Sequence, residues 1–207
     1  MWNERIYYKS GPRKQNSGNS IYINNISMQV GGGEEWNPLQ ELKGAISAIR
    51  KGDKLTFKQE YAIESLWHEI RHAGAVGYVD INKRSSRRTK AMECINQFCA
   101  RRSYVGFLKS IGGKSNNRDS IILDGYGYRS TLKNFQNIID HFKLDTKSVY
   151  VYFKDRIQTT PYENIFDEVA QYIARKGHID IAIAEQIVTY MGMMSENDFA
   201  KYLKGVM

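Results

Sequence analysis

The segment from Thr56 to Gly74 constrains the fold more than any other stretch of the chain. Between Phe57 and Ala73 there is neither proline nor glycine, and Phe57, Ala62, Ile63, Leu66, Trp67 and Ile70 place apolar side chains at helical spacing. Thr56, with Gln59 three positions on, has the form of a capping box, in which each side chain satisfies a backbone N–H that the first helical turn leaves open. Gly74 and Gly77 then end the run. A helix over 57–73 is therefore expected. Its last turns read Trp67-His68-Glu69-Ile70-Arg71-His72, an H-E-x-x-H pattern. Residues four apart on a helix share a face, so His68 and His72 can turn imidazole nitrogens toward one ion. Glu69 lies about 100° round the helix from His68. That suits it to act on a water at the metal rather than to hold the metal. The pattern arises by chance in about 1 of 200 chains of this length, so its context decides how it is read. The well-signalled helix is favourable context, and Tyr61, Ser65, His68 and His72 form one polar stripe expected to face a cleft.

The 207 residues are 42% hydrophobic and 25% charged, enough for a domain with a real core. No run of 18 apolar residues is present, so no membrane-spanning helix is expected. The stretch Met1-Trp2-Asn3-Glu4-Arg5 has no apolar segment behind it, and a signal peptide is not expected. Cys94 and Cys99 fall on different faces of an expected helix and read as reduced, small apolar residues of a cytoplasmic protein. There is no C-x-x-C, which argues against a cysteine zinc site. The net charge of +8 permits nucleic acid or an acidic partner. The most basic stretch supplies Lys83, Arg84, Arg87, Arg88 and Lys90, with Arg101 and Arg102 further on. A solvated loop and helix start is the plainer reading of such a run.

Along the chain, residues 1–37 read as a loop-rich lead-in with a strand or hairpin at Ile21–Ile26, broken by Gly31-Gly32-Gly33. Pro38 opens a helix that runs to about Arg50 and closes at Gly52. Tyr78–Ile81 has the form of a short strand, and Ser86 to Leu108 that of a long helix. Residues 109–130 read as a polar, glycine-rich loop around Ile121-Ile122-Leu123. A helix is expected over Leu132–Phe142, a β-type run over Ser148–Phe153, and helices over Tyr162–Lys176, Asp180–Met191 and Glu196–Lys204. The expected fold is α+β and mostly helical, with a small β element. Residues 1–130 would form the lobe that carries the motif and 131–207 a helical lobe, two lobes that can share one core.

A catalytic zinc site needs a third protein ligand beside an open position for water. Glu93, in Glu93-Cys94-Ile95-Asn96-Gln97-Phe98-Cys99-Ala100, lies on the second long helix and can close the site if that helix crosses the first. Asn96 and Gln97 could then hold a ligand histidine in one tautomer. Asp124, in Leu123-Asp124-Gly125-Tyr126-Gly127, is the other choice. An extended H-E-x-x-H-x-x-G-x-x-H pattern is ruled out, because Ala75 and Tyr78 stand where it requires glycine and histidine. Glu64, one turn before His68, reads as an exposed helix glutamate, and His141 and His178 as lone structural histidines.

With His68, Glu69, His72 and Glu93 in this order, the chain resembles the gluzincins, zinc metallopeptidases with H-E-x-x-H on one helix and a ligand glutamate on a following one. It is most similar to their small members, with the ImmA/IrrE-type peptidases of mobile elements as a distant relative. Asn96 and Phe98 each come one residue early against that group's glutamate helix. The resemblance covers about residues 56–102. It implies a zincin-like pair of helices, Zn2+ held by His68, His72 and Glu93, and hydrolysis of a peptide or protein substrate with Glu69 as general base. Asp124 resembles the ligand of a second branch, the aspzincins, with the spacing one short. A competing reading is a phage or mobile-element structural or nucleic-acid-binding protein, acting through the Lys83–Lys90 run, in which H-E-x-x-H is incidental or purely structural.

Overall fold

A 3.6-residue apolar repeat recurs along most of the chain. The computed structural model, which describes residues 6–9, 21–30, 33–76 and 86–206, turns it into helices. These are α1 (Pro38–Lys51), α2 (Phe57–Ala73), α3 (Ser86–Ser110), α4 (Arg118–Asp124), α5 (Arg129–His141), α6 (Thr146–Thr159), α7 (Ile165–Gly177), α8 (Ile181–Met191) and α9 (Glu196–Lys204). The β structure is slight. Strand β1 (Ile6–Lys9) pairs in parallel with β2 (Ile21–Asn24), and β3 (Met28–Gln29) pairs antiparallel with β4 (Glu35–Trp36). The architecture is α+β and mostly helical, as expected. No helix among the described residues is long and apolar enough to cross a membrane. Tyr78–Ile81, expected as a strand, lies outside the described residues.

The chain divides into two compact units. One comprises Met1–Gly74 and Ala100–Gly127, the other Ala75–Cys99 and Tyr128–Met207. In the first, Leu42, Ala45 and Ala48 of α1, Ala62, Ile63 and Leu66 of α2, Tyr104 and Leu108 of α3 and Ile121 of α4 form a core with Ile21, Ile23 and Trp36. Helix α1 begins with Pro38 behind the Asn37 cap, whose side chain accepts from the Gln40 N–H, and it ends at Gly52 with φ 76°. That left-handed backbone is the reason for a glycine there. In the second unit, Met92, Ile95 and Phe98 of α3 join Phe135 and Ile138 of α5, Phe153 of α6, Val169 and Ile173 of α7, Ile187 of α8 and Phe199 of α9. Cys94 and Cys99 are buried free thiols in this core.

Two local expectations are corrected. The β-type run Ser148–Phe153 lies inside α6. Its β-branched and aromatic residues favour a strand, but Asp145 caps the segment by accepting from the Ser148 N–H, and Val149, Phe153 and Ile157 bury one helical face. Tertiary packing overrides a propensity worth at most ~1 kcal/mol. The loop expected over 109–130 contains α4, whose buried residue is Ile121. Just before it, the backbone N–H groups of Asn116 and Asn117 donate to the Glu60 carboxylate, at 3.0 and 2.9 Å. A long-range acceptor thus ties down the start of the helix, which no local pattern announces.

Candidate metal centre

Helix α2 starts with the expected capping box: Thr56 Oγ1 accepts from the Gln59 N–H at 3.2 Å, and Gln59 Oε1 accepts from the Thr56 N–H at 3.1 Å. Gly74 caps the other end. His68 and His72 follow in the last turns of this helix, one turn apart. Both are buried, and their Nε2 atoms lie 2.9 Å apart with the rings nearly perpendicular, at 82°. At that distance one ring can donate to the other, and the same two nitrogens are also the atoms that could share an ion.

The surroundings differ from expectation in two ways. The stripe Tyr61, Ser65, His68 and His72 is buried throughout rather than open. Glu64, expected on an exposed face, has 0% of its surface accessible. The reason is that α2 is buried on nearly all sides from Glu60 to Leu66, so the turn before His68 has no solvent-facing side. The Tyr61 phenol is pushed up to about 12, first by burial and then by the negative charge of Glu64, and it therefore stays protonated. Its oxygen accepts from the Gly127 N–H at 2.6 Å.

Glu93 sits on α3 and is half-buried. Its Oε1 accepts from the Tyr162 hydroxyl at 3.3 Å. Asn96 and Gln97, one turn on, are both buried. Among the described residues, His68, His72 and Glu93 each offer a ligand atom, and these atoms all lie within 4.8 Å of one another. Ligand atoms around a tetrahedral zinc with ~2.0–2.1 Å bonds are about 3.3 Å apart. The donor set of two imidazole nitrogens and one carboxylate oxygen fits a catalytic zinc, with one position left for water. Glu69, beside His68, is half-buried and outside this group, as its reading as a base requires. Asp124 is exposed at the end of α4 and is also outside it.

The basic run divides. Lys83 and Arg84 lie outside the described residues. Arg88 makes a bidentate pair with Asp167 at 2.7 and 3.1 Å, and the Arg87 and Arg88 guanidinium groups each lie 5.4 Å from the centre of the Phe166 ring. The Lys90 stem lies against Gly192. Arg88 therefore serves internal packing more than an outside partner. His141 ends α5 with its ring against Phe142, and His178 caps α7 in the left-handed region at φ 53°.

Sequence reasoning missed Tyr162 and the burial of Glu64. Pro161-Tyr162 signals only a turn, and nothing local links Tyr162 to Glu93. No family model matches the chain, and no curated protein or solved structure matches it either.

Proposed function

We propose that the protein is a zinc-dependent peptidase that uses His68, His72 and Glu93 as metal ligands and Glu69 as general base. The observation carrying this reading is the grouping of the three side chains within 4.8 Å, two from an H-E-x-x-H helix and one from a separate helix. A structural metal site has no need of a carboxylate beside its first ligand, whereas hydrolysis does. Bound zinc would acidify a water and polarise the scissile carbonyl. Glu69 takes the proton of the attacking water and delivers it to the leaving amine. The buried histidines hold their rings in place through this step.

Elemental analysis of protein purified without added metal tests the first half of the proposal. About one zinc per chain is expected, with none in His68→Ala or His72→Ala. Cleavage of a peptide library tests the second half. Glu69→Gln should keep its zinc yet lose hydrolysis by about 10²–10⁴-fold, the usual contribution of a general base. Full zinc content in either histidine variant, or parental cleavage by Glu69→Gln, would remove the reading.

A further inference from the structure

We infer that Tyr162 is the positioning residue of the third ligand, holding the Glu93 carboxylate in its ligating orientation through a donated hydrogen bond. The inference rests on the metal-site reading above and concerns a residue that takes no part in H-E-x-x-H.

A glutamate on a helix is a poor ligand unless something holds it. Its long side chain loses rotamer entropy when fixed, and that loss falls on metal binding if nothing has ordered the carboxylate beforehand. Tyr162 is built to order it. The residue follows Pro161, whose ring sets the backbone, and opens the short 3-10 turn Tyr162–Asn164 that leads straight into α7. Its side chain is 2% exposed and belongs to the core with Ile165, Phe166 and Val169. The ring cannot swing away without opening that core, so its hydroxyl is delivered to a fixed point, 3.3 Å from Glu93 Oε1. A carboxylate has about four lone-pair sites, so accepting one hydrogen bond leaves it able to ligate. Partners that orient ligands in this way typically contribute 10–100-fold to metal affinity.

The test uses the full chain and zinc itself, with affinity measured by competition against a chromophoric chelator. Tyr162→Phe removes only the hydroxyl and keeps the ring in the core. It should bind zinc about 10–100-fold more weakly, while the metal-free protein keeps its far-ultraviolet circular dichroism. In a Glu93→Ala background the same substitution should cause no further loss, because the group it orients is gone. If the parent binds zinc tightly and Tyr162→Phe binds it equally well, the inference fails and the metal-site reading stands. An equal loss in both backgrounds also overturns it, since Tyr162 would then act elsewhere. If the parent binds no zinc, both fail together.

Discussion

Hydrogen bonds from the Tyr104 hydroxyl, the Ser115 hydroxyl, the Asn116 and Asn117 N–H groups and the Asn117 side-chain amide converge on the carboxylate of Glu60. Burial alone would raise its pKa, but the donors outweigh burial and hold the carboxyl below its ordinary value. A carboxyl depressed in the folded state contributes stability that is complete above its unfolded pKa and is lost as the pH falls through the folded one. The parent protein should therefore weaken on acidification below pH ~4.3, the ordinary glutamate value, by more than Glu60→Gln does. The substitution itself places an amide donor among donors. It should cost on the order of 2–3 kcal/mol at neutral pH, the scale of a lost hydrogen bond to a charged group. Urea midpoints of both proteins at pH 7 and in the acid range check this, and parallel acid sensitivity would show that Glu60 is not the titrating group. The same burial that makes Glu60 strong made its neighbour Glu64 hard to read. In the sequence both are polar residues of one helix, and whether either meets solvent depends on packing partners distant along the chain. His68 and His72 were legible because their chemistry lies in a spacing of four. Tyr162 was not, because its partner is reached only through the fold.

At the level of elements, legibility followed the caps. Helices α1, α2 and α9 begin at residues whose side chains accept a first-turn N–H, and their starts fall where expected. The caps of α6 and α4 were harder to see. Asp145 precedes a run whose composition favours a strand, and α4 takes its first hydrogen bonds from Glu60 rather than from a side chain of its own. The Thr56 capping box therefore gives a direct test at this scale. Thr56→Ala should cost about 1 kcal/mol, within a usual range of ~0.5–2. Its distance from the ligands matters: twelve residues of helix separate Thr56 from His68, about 18 Å at 1.5 Å per residue. The variant should thus unfold at lower denaturant yet bind zinc as the parent does. A parallel loss of zinc affinity would mean that α2 frays as a whole, and that the two histidines depend on its far end.

Over the whole molecule, most side-chain burial lies in two cores. One is rich in helix–helix contacts of Phe and Ile, and the other gathers α1, α2 and α4 with the small strands. Their apolar residues were visible as periodic positions, while the division of α3 between the two units was not, because one uninterrupted helical pattern carries both. The cores alone do not explain a helix as polar and as buried as α2, in which Glu60, Glu64, His68, Arg71 and His72 are all inside. On the reading proposed above, His68, His72 and Glu93 share a bound zinc ion. Zinc should then stabilise the folded chain by mass action. At a free concentration one hundred times its dissociation constant the gain is about 2.7 kcal/mol. For a chain of this size each kcal/mol moves the melting temperature by roughly 2–4 °C, so the shift should be on the order of 5–10 °C. Chelation should reverse it, and His72→Ala should melt at the same temperature with and without zinc. Calorimetric scans of both proteins, each with chelator and with zinc, decide the matter. A parent whose melting temperature ignores zinc, or a His72→Ala variant that responds as fully as the parent, would show that these histidines hold no ion and that α2 is buried for structural reasons alone.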